Sequence, residues 1–454
     1  MVSAILLIFV DSRIVTSLGV AALCLYLWLT RRQFGFGTWV PVLMALTVFV
    51  LALAQRVDPA ALWQGADRML FLAALIATLS TLRSAAAIAP EVHRAGLFVT
   101  GQPASRRYLA MTSGGHLFGV LINFGGLALL LDIAKRSMSS EAAAQLPPDA
   151  RETRLKRMTM AIVRGFALIS LWSPFGFATN AILIAVPGLS YANFGPIGFA
   201  MSFVFIAIGW AFDRVDGWRF RKLGLPRPSP PPGSWTGAVA LVAHVFALGL
   251  LVFLVHEVSA LSFQQALVCV VPCYAIVWAG MSARETPGGP VSGVTGAARA
   301  TWERLSAMGS EVGVFASAGF LPVVLLGLIP AEELRAVISG MGLGAISVAL
   351  GISVAIVALA LVGMNPIVVA SVLGAIAAQV TVPGLSDAAI ALAITGGWTA
   401  VIGLSPFITT LVLTASIIGR STFTVGLRWN GLYCLSILTV WSLMLAMLIR
   451  FGWI

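Results

Sequence analysis

The sequence predicts an all-α polytopic membrane protein: an inverted repeat with two re-entrant hairpins and two broken transmembrane helices, with about 11 spans in all. Three observations carry this prediction. The 454-residue chain is 59% hydrophobic and only 10% charged. Apolar stretches long enough to cross a bilayer recur along it, and polar stretches stay too short for an independent soluble domain. A Ser-Pro-Phe tripeptide lies inside two of the apolar stretches, at 173–175 and 405–407.

The apolar stretches fall into two halves with the same order: three helices, a hairpin, a broken span and a plain span. In the first half they lie at 14–31, 38–55, 67–83, within 95–134, at 158–187 and at 193–212. In the second half they lie at 236–257, 262–281, 310–329, within 336–382, at 387–418 and at 429–450. The resulting division is a first membrane repeat at 1–212, a cytoplasmic Pro-rich linker at 213–235 and a second, inverted membrane repeat at 236–454.

The charge distribution predicts the orientation in the membrane. The formal net charge is +11, and 28 residues are Lys or Arg. Under this span assignment all but five of them fall on one side; the five are Arg13, Arg56, Arg68, Arg335 and Arg450. Basic loops mark the cytoplasmic side of a membrane protein. We therefore expect a multi-pass protein of the inner (plasma) membrane with cytoplasmic basic loops, surrounded by the lipid bilayer and without a nucleic-acid partner.

Each Ser-Pro-Phe tripeptide predicts a helix that is broken near its middle. Proline removes one amide from the helical hydrogen-bond ladder and clashes with the preceding turn. Backbone that is freed in this way at membrane depth is tolerated where it is buried in protein or lines a wet cavity. A proline in one membrane helix taken alone is more often a simple kink. Two broken helices at equivalent positions of two repeats, however, are typical of a transporter's binding site.

Two further landmarks recur in both halves. Asp67 and Glu311 open corresponding helices, and we interpret them as charges that favour a helix N-terminus. The hairpin tips are predicted at 113–116 and 363–366. An odd number of crossings separates equivalent landmarks, so the two repeats are expected to have opposite orientations in the membrane.

A binding site is predicted where the two breaks meet the two hairpin tips. A helix that begins at the membrane midplane presents unpaired amides and about half a positive elementary charge, which together bind an anion. Hydroxyl and amide side chains near these ends would supply further ligands. The predicted substrate- or ion-binding residues are His116, Asn123, Ser173, Pro174, Thr179, Asn180, Asn365, Ser405, Thr409 and Thr410. Packing between helices is the alternative role for the Asn and Thr side chains.

The sequence leaves the coupling ion open. No carboxylate is predicted in the middle of a span, so the usual proton carrier is not expected there. His116 could titrate near neutral pH, or a sodium ion could bind backbone and side-chain oxygens. A structural hydrogen bond from His116 to a tip carbonyl is the alternative interpretation. No cofactor or metal other than sodium is predicted, because the four cysteines have no nearby His or acidic residues to complete a site.

The order of elements resembles the ion transporter superfamily, which includes the divalent-anion/sodium symporters and the arsenite-type anion transporters. The segments 177–184, 187–189 and 193–194 are similar to the Gly-Thr-x-x-Asn region of the first broken helix in that superfamily. The resemblance implies an elevator-like motion of hairpins and broken helices against a scaffold, and a homodimer. The Ser-Asn-Thr triplets that hold sodium at the hairpin tips of the dicarboxylate symporters do not occur at these tips. Sodium coupling and dicarboxylate specificity are therefore not implied.

Together these observations predict a secondary active transporter of a small anionic solute, coupled to sodium or protons. The alternative is an intramembrane enzyme acting on a lipid-linked substrate. Its best cluster lies in the loop 84–107 and consists of Glu91, His93, Arg94, Arg106 and Arg107. The outer loops are short and poor in acid–base groups, so no enzymatic activity is expected. A non-transporting scaffold subunit would leave the paired broken helices unexplained. No Walker-type sequence occurs, so ATP-driven transport would need a separate subunit.

Overall fold

The chain folds as a helical bundle that encloses two hairpins and two broken helices. In the computed structural model the described residues are 2–139, 146–218, 229–284, 286–329, 331–380 and 382–454, and all regular structure among them is helical. Nine helical runs in this part of the chain are long and apolar enough to cross a membrane. Residues 219–228, which make up ten of the 23 residues in the predicted Pro-rich linker, lie outside the described residues.

The first half contains the predicted order of elements, with one short helix before it and another before the hairpin. Its helices are α1 (Val2–Phe9), α2 (Arg13–Thr30), α3 (Phe36–Ala54), α4 (Pro59–Ile88), α5 (Pro90–Thr100), α6 (Ala104–Ile122), α7 (Phe124–Ser137), α8 (Pro148–Ala167), α9 (Ile169–Trp172), α10 (Phe177–Ala185) and α11 (Gly195–Gly217). Helices α6 and α7 form the hairpin. Helices α8, α9 and α10 are the pieces of the broken span.

The second half repeats this order. Its helices are α12 (Trp235–Val258), α13 (Phe263–Ser282), α14 (Gly289–Ser306), α15 (Gly309–Leu328), α16 (Ala331–Gly340), α17 (Ala345–Leu361), α18 (Pro366–Gln379), α19 (Asp387–Ile402), α20 (Thr409–Ile418) and α21 (Gly431–Arg450). Helices α17 and α18 form the hairpin, and α19 and α20 form the broken span. Each half thus has five described crossings, which makes the repeats inverted and brings the total close to the expected number of about 11.

The first hairpin turns at Asn123, and the predicted tip at 113–116 was wrong. Those residues lie inside α6. The glycines that we interpreted as a turn instead allow close packing, because a Cβ atom on Gly115 would lie 2.4 Å from the Ile162 carbonyl oxygen of α8. Asn123 has a φ of 54°, which asparagine adopts more readily than most residues with a side chain. The second tip lies where it was predicted, with Gly363 at a φ of 97°.

Both breaks form at the predicted tripeptides and use the same local hydrogen bond. The Phe175 N–H donates to Ser173 Oγ at 3.3 Å, and the Phe407 N–H donates to Ser405 Oγ at 3.3 Å. Ser405 Oγ also donates to the Ala360 carbonyl oxygen of hairpin arm α17 at 2.7 Å. Both serines are fully buried. Each serine therefore stabilises the broken backbone by replacing part of the helical hydrogen-bond ladder.

Helix α5 connects the region before the first hairpin to the second half. Glu91, in its first turn, accepts hydrogen bonds from Trp278 Nε1 at 2.7 Å and Ser282 Oγ at 2.9 Å on α13. His244 Nε2 of α12 lies 3.7 Å from the same carboxylate oxygen. Burial raises the pKa of Glu91, but hydrogen bonds from His244, Trp278 and Ser282 outweigh burial and lower the pKa to about 2. Glu91 is thus an ionised anchor between helices.

A buried arginine joins the first broken span to the second. Arg164 of α8 is 2% exposed. Its Nε donates to Asn430 Oδ1 at 2.8 Å, its Nη1 donates to the Gly209 carbonyl oxygen at 3.2 Å, and its guanidinium lies 4.3 Å from the centre of the Tyr433 ring. Asn430 Nδ2 in turn donates to the carbonyl oxygen of Gly403, at the end of α19, at 3.0 Å. This network holds the two broken spans at a fixed separation.

Candidate functional site

Four helix N-termini meet at one cavity of about 280 Å³. They belong to the hairpin arms α7 and α18 and to the half-helices α10 and α20. The first residues of these helices all line the cavity: Phe124, Phe177, Pro366 and Thr409. Among the described residues, no side chain caps α7, α10 or α20, whereas Asn365 Oδ1 accepts from the Ile367 amide of α18. Uncapped amides and partial positive charges therefore converge on the cavity.

The cavity extends towards the side of the protein that is predicted to be cytoplasmic. Gly35 and Gly37 line it where α3 begins, and Ser310 and Glu311 line it where α15 begins. The sequence places the starts of both helices on the side of the basic loops. The cavity thus runs from the helix ends inside the bundle to the helix ends at that surface.

The lining combines polar side chains with aromatic ones. The polar residues are Thr38, Asn123, Ser170, Ser310, Glu311, Asn365, Thr409 and Thr410. The aromatic residues are Phe124, Phe166, Phe177, Phe315, Trp398 and Phe407. Among the described residues that line the cavity, Glu311 carries the one formal charge. Nowhere in the described ranges do three His, Cys, Asp or Glu side chains come together to hold a metal ion.

Glu311 is the site residue whose role the sequence analysis did not predict. We interpreted it as a charge at a helix N-terminus and expected no carboxylate within the spans. It does lie in the first turn of α15, but it also lines the cavity. The equivalent residue of the first repeat, Asp67, does not line this cavity and instead accepts a hydrogen bond from Thr16 Oγ1 at 2.7 Å. The repeat is therefore symmetric in its helices and asymmetric in its charged residues.

A buried cation lies behind the cavity on α4. Arg83 is 4% exposed, and its guanidinium lies 5.5 Å from the centre of the Phe177 ring, which lines the cavity. Glu311 and Arg304 are the charged groups that act on it electrostatically. One of its nitrogens, Nη2, is buried without a hydrogen-bond partner in the described part of the chain. Arg83 thus offsets part of the Glu311 charge without lining the cavity itself.

Four of the ten predicted site residues line the cavity, and six lie outside its lining. The lining residues are Asn123, Asn365, Thr409 and Thr410. The six others are Ser173, Pro174 and Ser405 in the breaks, Thr179 and Asn180 in α10, and His116 in α6. A role in binding stays a prediction for all ten. The four lining residues are the ones that a solute in the cavity would contact directly.

His116 connects α6 to the first broken span. Trp172 Nε1 donates to His116 Nε2 at 3.2 Å, and His116 Nδ1 lies 3.3 Å from the Gly165 carbonyl oxygen. A carbonyl oxygen only accepts, so the ring proton is on Nδ1, and Nε2 is left to accept from the tryptophan. Both ring nitrogens are therefore engaged in hydrogen bonds that join α6 to the first broken span. This arrangement matches the alternative interpretation of a carbonyl hydrogen bond, although the carbonyl belongs to α8 and not to a hairpin tip.

Asn180 holds the first break together. Its Nδ2 donates to the carbonyl oxygens of Pro174 and Gly176, both at 2.9 Å. Its Oδ1 and the Oγ1 of the neighbouring Thr179 are buried and have no hydrogen-bond partner in the described residues. These two oxygens remain available as acceptors from a solute or as ligands for a cation.

We expect Asn180→Ala to lower the free energy of unfolding by about 2 kcal/mol, because the Pro174 carbonyl oxygen loses its described donor and the Gly176 carbonyl oxygen keeps only the backbone N–H of residue 180. Thermal unfolding of the purified protein in detergent measures this. Asn193→Ala is the matched control, since Asn193 is exposed in the loop that follows the same broken span. Equal unfolding temperatures of the two variants would mean that these hydrogen bonds do not stabilise the break.

No protein-family profile and no curated protein matches this sequence. Its structure, however, is similar to the crystal structure of the YdaH transporter of Alcanivorax borkumensis, which is described as having an unusual topology. The TM-score is 0.52 at 18% sequence identity, and the match covers 84% of this chain and 85% of that chain. The two chains share a fold. The polytopic helical architecture is thus supported over most of the sequence, whereas membership of the ion transporter superfamily stays a prediction.

Proposed function

We propose that this protein is a secondary active transporter that moves a small anion across the inner membrane by alternating access. The observation that carries the proposal is the convergence of four helix N-termini, from two hairpins and two broken helices, on one cavity. The similarity to YdaH, itself a transporter, supports transport as the general class. The enzyme alternative loses its best candidate cluster, because Glu91 is engaged in hydrogen bonds between helices.

The anion is expected to bind at the helix ends. Unpaired amides and helix dipoles provide positive potential without a lining arginine or lysine. Thr409 and Thr410 add hydroxyl groups at the first turn of α20, and Asn123 adds an amide whose Oδ1 has no hydrogen-bond partner in the described residues. Phe177, Phe315 and Trp398 offer an apolar flank. A small solute with one anionic group and an apolar part fits this combination.

Glu311 explains why transport of an anion would be coupled to a cation. An ionised carboxylate in the same cavity repels a bound anion, and a proton or a sodium ion on Glu311 removes the repulsion. The buried oxygens without a described partner, Asn123 Oδ1, Thr179 Oγ1 and Asn180 Oδ1, are of the kind that hard cations take as ligands. Sodium and protons are thus both compatible with the site, and binding measured with and without each ion separates them.

The moving parts we propose are the hairpins and broken helices, displaced together against the remaining helices in an elevator-like step. This assignment, and assembly as a homodimer, rest on the resemblance to the ion transporter superfamily. The hydrogen bonds that Glu91 accepts from α13 would then tie α5, which precedes the first hairpin, to the part that stays still.

The proposed site is tested first with Thr409→Ala. Thr409 is exposed at the first position of α20, so losing its hydroxyl should leave the fold intact. Since a hydrogen bond to a charged group contributes about 1.5–3 kcal/mol, we expect anion binding to weaken by about tenfold to a hundredfold. Thr439→Ala, an exposed threonine on α21, is the control. Unchanged affinity in Thr409→Ala would place the anion elsewhere.

The solute is identified by a thermal-shift screen of the purified protein against inorganic oxyanions, carboxylates, sulfonates and amino acids. Each solute is tested with and without sodium at two pH values. A ligand that binds only the folded state raises the apparent stability. A rise in unfolding temperature that requires sodium identifies sodium as the coupling ion, and one that requires acid identifies the proton. Stabilisation by lipid-linked sugars or acyl donors, with no response to any anion, would contradict the proposal and favour the enzyme alternative.

A further inference from the structure

A second cavity of about 320 Å³ lies on the opposite side of the bundle from the first. Its polar lining consists of Gln64 and Arg68 on α4, Ser371 and Gln379 on α18, and Asp387 at the start of α19. Arg68 is one of the five basic residues that the sequence places on the outer side. We call this the outer cavity, and the cavity at the four helix N-termini the inner cavity.

The two cavities share α4, α10, α15, α18 and α19, and on α10 and α18 about one helical turn separates their linings. On α10 the inner cavity ends at Phe177 and the outer one begins at Ala181; on α18 the corresponding residues are Ile367 and Ser371. Four residues of helix span about 6 Å. The rings of Phe177 and Phe315 pack edge to face within this interval, with their centres 4.7 Å apart. This aromatic pair therefore forms part of the barrier between the cavities.

The outer cavity also connects with the outside surface. A third cavity of about 720 Å³ shares Arg68, Ile184 and Pro187 with it and is lined further by residues of α1 and the loop before α13. Arg68 thus lines both the outer cavity and this third cavity. A solute that moves from this third cavity into the outer cavity passes this side chain.

Arg68 has no described ion-pair partner, although Asp11, Asp67 and Asp387 line the cavities that it lines. Among the described residues no Asp or Glu makes an ion pair with it, and it is only partly exposed. Asp67, its neighbour in sequence, accepts the hydrogen bond from Thr16, and Asp387 lines the outer cavity without pairing with Arg68. Ser371 Oγ is buried and has no partner among the described residues. A half-buried guanidinium and an unpaired hydroxyl that line the same cavity are suited to a carboxylate or oxyanion.

We propose that the outer cavity is a second anion-binding site, in which Arg68 and Ser371 receive the solute on the outer side of the Phe177–Phe315 barrier. The inference rests on the proposed transport function for its physiological role, but the anion site itself can be tested without any transported solute. The two cavities then differ in chemistry. The outer cavity has a guanidinium, and the inner cavity has helix N-termini and a carboxylate.

The test uses Ala378→Cys, on the outer-cavity face of α18, in a background without the four native cysteines. Membrane-impermeant methanethiosulfonate reagents are added from outside, one with an anionic sulfonate and one with a cationic trimethylammonium group. A local positive charge concentrates anions and repels cations. We expect Arg68→Gln to lower the ratio of anionic to cationic labelling rates by about tenfold, and Arg68→Lys to preserve most of it.

Arg13→Gln is the matched control, because Arg13 is also on the outer side but does not line the outer cavity. An unchanged rate ratio in Arg68→Gln, or no labelling of Ala378→Cys from outside, would overturn the inference. Equal ratios in the Lys and Gln variants would overturn it as well, since charge would then not be the cause. A positive labelling result together with no accumulation or counterflow of any screened solute in proteoliposomes would keep the anion site and reject the transport function.

Discussion

Replacing Glu311 with Gln should abolish uphill accumulation of the anion while leaving its downhill exchange intact. Two like charges 4 Å apart repel by about 4 kcal/mol at an effective dielectric constant of 20, which is about a thousandfold in affinity. In the proposed mechanism a proton or sodium ion neutralises Glu311 when the anion binds in the same cavity. Glutamine has the shape of the protonated carboxyl group and no charge. The anion would then bind without the cation, and the cation gradient would no longer drive it.

The measurement is uptake of labelled solute into proteoliposomes under an imposed pH or sodium gradient, followed by counterflow without a gradient. Glu303→Gln is the control, since Glu303 is exposed on α14 and pairs with Arg299 at 2.9 Å. The variant at 311 should show counterflow at every pH and sodium concentration but no accumulation. Accumulation equal to that of the native protein would show that coupling does not pass through Glu311.

Replacing Arg164 with Ala should lower the free energy of unfolding by about 3–5 kcal/mol. The change removes the donor that Asn430 Oδ1 uses and a side-chain bond to the helical Gly209 carbonyl oxygen, and it leaves a void under the Tyr433 ring. A buried acceptor without a donor costs about 1–3 kcal/mol. The loss should also loosen the second break, because Asn430 bonds Gly403 at the end of α19.

Unfolding of the purified protein by heat in detergent measures this effect. Arg164→Lys keeps the charge but cannot make the forked contacts or stack on the ring, so it should fall between the native protein and the alanine variant. Arg428→Ala serves as the control, because Arg428 is exposed in the π-helical turn (Thr424–Asn430) that also carries Asn430. If the Ala variants at 164 and 428 melt at the same temperature, the network does not stabilise the bundle.

The sequence predicted the breaks because they depend on local chemistry. Pro174 and Pro406 remove backbone donors wherever the helix lies, and the preceding serine supplies the replacement bond two residues along the chain. The second hairpin tip was also predicted, since Gly363 and Pro366 mark a turn and a helix start by their own conformational preferences. The two glycines before His116 carried the same local signal, yet they are packing positions inside α6.

The prediction of a hairpin tip at 113–116 failed because glycine has two uses that a sequence cannot distinguish. A glycine can provide a positive φ in a turn, or it can let two helices approach closely, and only the neighbouring helix decides between them. At Gly115 that neighbour is the Ile162 carbonyl of α8. Asn180 stays a predicted ligand through its Oδ1, while the tertiary structure shows that its amide nitrogen is used within the break.

By itself, the sequence determined the features that depend on short-range physics: that the chain spans a membrane, that it is an inverted repeat, and that two helices break at Ser-Pro-Phe. Apolar length and proline act within a few residues and need no partner. Only the tertiary structure decided which polar groups meet. Glu311 shares a cavity with Thr409, and Arg68 lies between two outer cavities, because distant helices pack together there. Burial and charge at a site are properties of that packing, and no single segment contains them.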